Sequence, residues 1–423
     1  MMKRASFGGT SAVERIVPGV LACALLFLFA CGSYPAEAAT ERVVYSFCSQ
    51  NFCADGTGGG LAGLIAAGGK LYGTTPFGGT HRKCYDEGCG TVFALDPQTG
   101  AFTTLYSFCR LRDCADGSYP ESTLLLFKGR LYGTTSEGGS TNCYYGCGIV
   151  FSIDPTTGIE TVVYSFRGGS DGEYGSALIH VSGTLYGTTA LGGGTGCGGA
   201  GCGTVFALSP DTGSEGILHA FQDNGTDGYE PRAALLDVDG TLYGTTEYGG
   251  VNQGGTVFSV DTSTGAEAII HAFADSDGNL PLASLVRQNH YLYGTTEEGG
   301  AYYNNGTVFS IHLDDGTEKV VRSFYHHRGG DNPLSPLIVS RGRLYGTTPG
   351  GGDPKCGQLN YGCGVVFSIN PSTGTENVIY DFGSHAEDGL FPYAGLTEMD
   401  GTFYGTTQQG GTYGYGAVFA VTP

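Results

Sequence analysis

The chain has 423 residues, of which 76 are glycine and 16 are proline, and its 40 acidic and 20 basic side chains give a net charge of −20. Such an acidic chain repels phosphate backbones and anionic lipid surfaces, so we exclude nucleic acid as a partner. The length would allow several domains, but a repeat that runs from end to end favours one large closed unit.

The first 38 residues have the pattern of an export signal. A basic start and an apolar run over residues 20–30 precede small residues before Ala39, and we expect cleavage there, leaving residues 39–423 as the mature domain. The residues before Cys31 also resemble a bacterial lipobox, so a lipid anchor on Cys31 is the alternative. No later stretch approaches the roughly 20 apolar residues that span a bilayer. We therefore expect a secreted, periplasmic or cell-surface protein.

A marker, Leu-Tyr-Gly-Thr-Thr or once Phe-Tyr-Gly-Thr-Thr, then recurs along the chain. Its tyrosines lie 50 to 60 residues apart, at Tyr72, Tyr132, Tyr186, Tyr243, Tyr293, Tyr345 and Tyr404. Each unit has four short runs rich in β-branched and aromatic residues, separated by Gly, Pro and Asp turns. These runs are a segment before the marker (A), the marker (B), a Gly-Thr-Val-Phe segment (C) and a Tyr-Ser-Phe segment (D). Four short strands per unit are typical of a propeller blade.

The two ends of the chain indicate how such a ring closes. Residues 43–47 match a D strand and residues 417–421 match a C strand, so the last unit lacks its outer strand unless the N-terminus supplies it. That pairing would lock the ring and remove exposed sheet edges. We predict an all-β fold, a seven-bladed β-propeller of four-stranded blades closed by the N-terminal strand completing the last blade. An open solenoid, the alternative, would have no reason to split a unit.

The repeated unit, from Glu41 to the C-terminus, resembles the GloVer tandem repeat of exported bacterial proteins and, more loosely, the Kelch repeat. The resemblance implies a β-propeller fold, but no assigned activity and no catalytic residues. The chain departs from the Kelch pattern because it has no tryptophan. Residues such as Tyr45 and His219 stand in the place of the outer-strand tryptophan.

The cysteines after the signal fall into close pairs. Two of the 14 cysteines precede residue 39, and the others pair locally as Cys48/Cys53, Cys84/Cys89, Cys109/Cys114, Cys143/Cys147, Cys197/Cys202 and Cys356/Cys363. Even, local pairing in an exported chain indicates disulfides. Zinc held by two neighbouring pairs is the alternative, but no histidine stands at ligand spacing and the separations vary. We expect no metal site and no cofactor.

The B-to-C and D-to-A loops should lie on one face of the disc, and they are long, variable and contain all the paired cysteines. Variable loops on a rigid scaffold are where binding usually resides. The candidate binding residues are the loop tyrosines Tyr85, Tyr144, Tyr145, Tyr248, Tyr302, Tyr303, Tyr361, Tyr413 and Tyr415. A tyrosine ring with a hydroxyl at its rim suits sugars and protein partners. Packing between neighbouring blades is the alternative role.

The D-to-A loops also repeat an Asp-Gly pair, with its aspartates at Asp55, Asp116, Asp171, Asp227, Asp277 and Asp388, and with Asp331-Asn332 in the sixth copy. We interpret the pair as a structural turn, in which the carboxylate accepts backbone N–H bonds. Calcium is the alternative, although one aspartate per loop falls short of the six to eight oxygens that calcium takes.

Together these patterns predict an exported, monomeric, non-enzymatic protein that binds an extracellular glycan or a protein partner through its disulfide-bonded loop face. One alternative is a polysaccharide-active enzyme with carboxylates from different blades near the central channel. The other is a purely structural envelope protein.

Overall fold

The computed structural model describes residues 40–59, 62–81, 83–84, 87–302, 304–325, 329–356 and 361–423. The expected export signal, its cleavage site and Cys31 lie outside these ranges. The described residues form seven four-stranded antiparallel sheets arranged as the blades of a propeller, which confirms the predicted fold. In these residues the helices are single 3-10 turns, Asn51–Cys53, Arg112–Cys114 and Cys197–Gly199. None is long and apolar enough to cross a membrane.

Each blade is ordered A-B-C-D in hydrogen-bonded sequence. The A strands are Ile65–Ala67, Leu125–Phe127, Ile179–Val181, Leu236–Val238, Val286–Gln288, Ile338–Ser340 and Thr397–Met399. The B strands are Lys70–Thr75, Arg130–Thr135, Thr184–Gly192, Thr241–Thr246, Tyr291–Thr296, Arg343–Thr348 and Thr402–Thr407. The C strands are Thr91–Leu95, Ile149–Ile153, Thr204–Leu208, Thr256–Asp261, Thr307–His312, Val365–Ile369 and Ala417–Thr422. The D strands are Phe102–Ser107, Glu160–Ser165, Glu215–Ala220, Glu267–Ala272, Glu318–Ser323, Glu376–Asp381 and, for blade 7, Thr40–Ser46.

The C strands form the densest part of the core. Every residue of Ile149–Ile153 is buried, because a blade in the ring is covered by a neighbouring sheet on each face. The D strands are edges, and Glu215–Ala220 is only partly covered. This difference explains why the C segments are almost entirely apolar while the D segments begin with glutamate in most blades.

The glycine of the marker is required by close packing. In blade 2, a Cβ added to Gly133 would lie 2.6 Å from Cζ of Phe151 and 2.9 Å from Cδ2 of Leu124. The C-strand phenylalanine ring therefore lies directly on the backbone of the B strand, where only hydrogen leaves enough room. The seven units repeat this contact, so the repeat motif records one packing solution used seven times.

The N-terminal strand is the outermost strand of the last blade. Thr40–Ser46 pairs antiparallel with Ala417–Thr422, and the backbone N–H of Phe47 donates to the carbonyl of Gly416 at 3.0 Å. Phe47 is fully buried and packs edge-on against Phe93 of blade 1, with ring centroids 5.6 Å apart. The first described residues thus join the two ends of the ring.

The loops on one face also pair with each other. Short strands add Gly172–Gly175 to the B strand of blade 3, and join Gly228–Tyr229 to Tyr248–Gly249 and Gly389–Leu390 to Gln409–Gly410. Single bridges make the same contact in the other blades, linking Thr57 to Phe77, Ser118 to Glu137, Asn279 to Glu298 and Asp331 to Gly350. Each D-to-A loop is therefore tied to the segment that follows the marker.

Candidate functional site

Disulfides strengthen this loop face. The six predicted pairs are formed, Cys48–Cys53, Cys84–Cys89, Cys109–Cys114, Cys143–Cys147, Cys197–Cys202 and Cys356–Cys363. The predicted disulfide pairing is therefore confirmed. The two bridges at blade 1 are neighbours, because the sulfurs of Cys84, Cys89, Cys109 and Cys114 lie within 4.8 Å of one another. They pack as an apolar group with Phe108 and Tyr119.

The predicted binding tyrosines do not converge on one place. Tyr144 is 90% exposed, and about half of the side chain is exposed at Tyr145, Tyr302, Tyr361, Tyr413 and Tyr415. Tyr144 and Tyr145 contact each other edge to face, with centroids 4.4 Å apart. Tyr248 is half-buried, and Tyr85 and Tyr303 lie outside the described residues. As binding residues, all nine remain a prediction.

The central channel opens on the loop face into a cavity of about 510 Å³. Its wall is built from the segments that precede the A strands of blades 2 to 7, together with residues that follow the markers. The polar and aromatic side chains that line it include Glu121, Tyr174, Arg232, Glu297 and Tyr393. We call this cavity the mouth.

A groove lined by residues of blades 1 to 4 adjoins the mouth. It shares Glu121, Tyr174 and Arg232 with the mouth and adds Phe77, Glu87, Tyr119, Glu137 and Glu230. A second depression shares Phe77 and Glu87 with the groove and reaches Phe52 and Tyr415. One of the predicted tyrosines, Tyr415, therefore lines a depression that shares two wall residues with the groove.

The mouth and groove are strongly acidic. Arg232 is held between two carboxylates: its Nη2 donates to Glu230 Oε2 at 2.7 Å, and its Nε donates to Glu247 Oε2. The side chain of Arg232 is half exposed, whereas those of Glu230 and Glu247 are mostly buried. Among the described lining residues this arginine is the single cation, against Glu87, Glu121, Glu137, Glu230 and Glu297.

Burial alters the acid strength of several of these glutamates. Glu121 is open to the solvent of the channel but is surrounded by protein, and desolvation, followed by repulsion from Glu137, raises its pKa. Desolvation also raises the pKa of Glu137 and of Glu297. Carboxylates that are costly to ionise favour a ligand that brings positive charge or hydroxyl donors.

Aromatic rings stand beside these carboxylates. Phe77 and Tyr119 pack edge to face with centroids 5.5 Å apart, and Tyr229 stacks on Tyr248 at 5.5 Å. A hydrogen bond to Glu247, together with desolvation, raises the pKa of Tyr248 to about 12. Of the predicted tyrosines, Tyr248 is thus the one linked through Glu247 to the arginine of the mouth.

The Asp-Gly pairs act as turns. Asp116 accepts the phenol of Tyr106 at 2.7 Å and the backbone N–H groups of Arg110 and Leu111 at 2.8 and 2.9 Å. The carboxylate thereby holds the loop through its own hydrogen bonds.

The prediction that Asp331-Asn332 takes the place of the Asp-Gly pair in the sixth copy is wrong. A Cβ at Gly330 would meet Oγ1 of Thr348 at 2.5 Å, as one at Gly117 would meet Thr135.

Gly329-Gly330 therefore occupies the Asp-Gly place in the sixth copy. Asp331 takes the next position, where it bridges to Gly350.

Residue spacing did not point to the mouth residues. Glu121, Tyr174 and Arg232 come from the D-to-A loops of different blades, and Glu297 follows the marker of blade 5. A usable signal was the contrast between the constant marker and the two positions after it, which change from unit to unit. Such variation on a constant scaffold is what a binding site on a repeat protein requires.

A comparison with protein families agrees with the resemblance found for the repeated unit. The profile of the Gloeobacter/Verrucomicrobia repeat matches residues 33–200 and 195–419, which confirms the resemblance drawn from the repeated unit. A search of curated protein sequences finds no match.

Solved structures share the architecture at low identity. A B. thetaiotaomicron protein described as a one-component system matches through its extracellular domain, with a TM-score of 0.56, 10% identity and coverage of 90% of this chain and 39% of that one. Oligogalacturonate lyase in complex with manganese matches with a TM-score of 0.52, 12% identity and coverage of 91% and 90%. A Bacteroides fragilis protein described as a 6-phosphogluconolactonase matches with a TM-score of 0.50, 15% identity and coverage of 85% of this chain and 98% of that one. At these identities the likeness shows the fold alone.

Proposed function

Since the chain belongs to the Gloeobacter/Verrucomicrobia repeat family and folds as a disulfide-bonded propeller, we propose that it is an exported, non-enzymatic protein that binds an uncharged or cationic glycan. The binding site is the mouth with its groove. The observation that carries this proposal is the convergence of aromatic rings and carboxylates around one open cavity.

The chemistry of the groove suits a sugar chain. The half-buried rings of Phe77 and Tyr174 offer flat apolar surfaces on which the C–H face of a pyranose can lie, and the buried ring of Tyr119 packs against Phe77. Carboxylates such as Glu121 and Glu137 accept hydrogen bonds from sugar hydroxyls or from the ammonium of an amino sugar. The neighbouring depression that Tyr415 lines offers further surface to an extended ligand.

Charge favours one class of glycan over another. The groove holds several glutamates and Arg232, which is already engaged by Glu230 and Glu247. A polyuronate would meet like charge on both sides of its chain. The substrate named for the lyase of similar fold, oligogalacturonate, is therefore a ligand that we expect this protein to reject.

Location is consistent with this role. The N-terminal pattern and six disulfides suit an oxidising compartment, and one protein of similar fold is an extracellular domain. The protein acts as a monomer outside the cytoplasm, either free or anchored through Cys31. A protein partner that contacts the exposed tips at Tyr144 and Tyr145 is the alternative ligand on the same face.

A second candidate is a polysaccharide-active enzyme. It is favoured by Glu121, whose pKa is raised by desolvation and by the nearby Glu137. A carboxyl group of raised pKa beside a second carboxylate is the pairing that glycosidases use as general acid and base or nucleophile.

The test is a glycan array on the purified protein, containing neutral, amino-sugar and uronic-acid oligosaccharides. We expect binding to neutral or amino-sugar chains and none to oligogalacturonate. Tyr174→Ala should weaken binding about tenfold, the equivalent of about 1.4 kcal/mol for a lost stacking ring. Tyr291→Ala is the matched control, because this exposed tyrosine begins a B strand at the opposite face.

The variants separate the alternatives. Loss of glycan binding with Tyr174→Ala but not with Tyr291→Ala supports the mouth as the site. Binding that survives Tyr174→Ala and Glu121→Ala but is lost with Tyr144→Ala moves the site to the loop tips. Cleavage products that disappear with Glu121→Gln establish the enzyme instead. Absence of binding to every glycan class overturns the proposal.

A further inference from the structure

The interfaces between neighbouring blades contain a recurring cluster of polar side chains. A residue near the end of one D strand faces the aspartate of the following Asp-Gly turn, and the glutamate that begins the next D strand approaches both. At four interfaces the first residue is a tyrosine. Its hydroxyl donates to the aspartate at 2.7 to 2.9 Å in the pairs Tyr45–Asp55, Tyr106–Asp116, Tyr164–Asp171 and Tyr380–Asp388. After the first of these pairs the next D strand begins with Phe102 in place of the glutamate.

At two adjacent interfaces the tyrosine is replaced by histidine. The clusters are His219, Asp227 and Glu267 between blades 3 and 4, and His271, Asp277 and Glu318 between blades 4 and 5. The ligand atoms of each trio lie within 4.8 Å of one another. The imidazole Nε2 is 3.5 Å from Asp227 Oδ2 in the first cluster and 3.2 Å from Asp277 Oδ2 in the second.

These trios leave buried atoms without hydrogen-bond partners. His219 Nε2, Glu267 Oε1 and Glu318 Oε1 are inaccessible to solvent and make no hydrogen bond to a described residue. Desolvation, followed by repulsion from the adjacent aspartate, raises the pKa of Glu267 and brings that of Glu318 to about 7. In the first cluster an imidazole nitrogen and a glutamate oxygen thus lie unpartnered beside Asp227. In the second, His271 Nε2 is hydrogen-bonded to Asp277 Oδ2 at 3.2 Å, and Glu318 Oε1 is the unpartnered atom beside them.

The interface between blades 5 and 6 has a cation at the position that corresponds to the histidine. Between blades 5 and 6 the turn has Gly329-Gly330 instead of Asp-Gly, and Arg322 stands where the tyrosine or histidine would be. Its Nη2 lies 2.6 Å from Oε2 of Glu376, whose side chain is 5% exposed. Here the chain itself supplies a cation to the buried glutamate.

We propose that each of the two histidine clusters binds one divalent transition-metal ion, with Zn²⁺ as the preferred occupant. One imidazole nitrogen and two carboxylate oxygens form an open three-ligand set of the kind that Zn²⁺ accepts, with water completing the shell. Two donors on one tetrahedral ion at about 2.1 Å each lie about 3.4 Å apart. The ligand atoms of each trio, which lie within 4.8 Å of one another, would reach this separation by rotation of the carboxylates.

The ion would join two blades. His219 and Asp227 belong to blade 3 and its exit loop, and Glu267 belongs to blade 4. The site is separate from the mouth, so this proposal does not rest on glycan binding. Sequence spacing alone predicted no metal site, because the third ligand lies one whole repeat further along the chain.

The test is metal content by mass spectrometry of the intact protein, stripped with EDTA, loaded with Zn²⁺ and freed of excess ion. We expect two ions per chain in the wild type, one in His219→Tyr, one in His271→Tyr and none in the double variant. Tyrosine is the residue that the chain itself uses at Tyr106, Tyr164 and Tyr380, so these variants should keep their fold. Zn²⁺ should also raise the melting temperature of the wild type and leave that of the double variant unchanged.

Two controls exclude other sources of bound zinc. A thiol titration must first find the cysteines oxidised, because the four neighbouring cysteines of blade 1 would bind zinc if reduced. His290→Ala, at an exposed histidine near Asp314, should leave the count at two. A wild type that retains no zinc, or a folded double variant that retains as much as the wild type, overturns the proposal.

Discussion

Replacing one marker glycine by alanine should destabilise the propeller by steric overlap alone. A Cβ at Gly244 would lie 2.5 Å from Cζ and 2.8 Å from Cε1 of Phe258, and 2.9 Å from Cδ2 of Leu235. Non-bonded carbon atoms prefer about 3.5 to 4.0 Å. Gly244 does not have a positive φ, so alanine meets no backbone penalty there. Both obstructing groups are buried, so neither can move into solvent.

We expect Gly244→Ala to lower the free energy of unfolding by about 1–3 kcal/mol, the usual cost of overpacking a rigid core. The assay is guanidinium denaturation followed by tyrosine fluorescence and circular dichroism. Gly216→Ala is the matched control, because a Cβ there has no atom within 4 Å and the residue is an exposed D-strand position. That variant should be neutral or slightly more stable.

A double variant tests the assigned cause. Phe258→Leu shortens the side chain that obstructs the new methyl group, so Gly244→Ala/Phe258→Leu should lose less stability than the two single losses added together. The expected coupling is roughly 1 kcal/mol. Strict additivity, or a Gly244→Ala variant as stable as the wild type, would refute the steric account of the repeat motif.

Two further predictions concern charge and closure. Desolvation and repulsion from Asp171 raise the pKa of Glu215 to about 7, so the folded state binds this proton more tightly than the unfolded state, and stability should fall as pH rises from about 4.5 to 7. Glu215→Gln should therefore raise the free energy of unfolding, measured in guanidinium, by about 1 kcal/mol at pH 8 after allowance for solvent screening, and leave it unchanged at pH 4.5; equal effects at both pH values would contradict this. Phe47→Ala should cost about 3–5 kcal/mol, since Phe47 is fully buried where the chain ends meet, and an unchanged midpoint would show that closure does not depend on this contact.

The blades were predictable because their determinants are local. Strand identity follows from β-branched and aromatic runs, and the turns follow from Gly and Asp-Pro pairs, all within one unit. The cysteine pairs were equally accessible, since partners lie 4 to 7 residues apart. The misaligned sixth turn shows the limit of this approach. Gly329-Gly330 lacks the aspartate that marks the other copies, and only its contact with Thr348 identifies it.

The binding tyrosines illustrate a different limit. Their positions in variable loops were evident, but Tyr144 and Tyr361 are exposed at separate loop tips, whereas Tyr248 adjoins the mouth through Glu247. Knowing that a residue lies in one of these loops predicts the face of the disc on which it lies, but not whether its side chain points toward the channel. The position of a side chain relative to the channel depends on how its loop pairs with the next one.

By itself the sequence determined the number of blades, the order of strands, the disulfides and the split unit that closes the ring, because each is specified within one repeat or at the chain ends. Tertiary structure alone decided the composition of the mouth and of the histidine clusters. Glu121 and Arg232 meet because the blades surround one axis. His219 and Glu267 meet because neighbouring D strands approach each other across the blade interface. Contacts between repeats depend on ring geometry, which no single unit encodes.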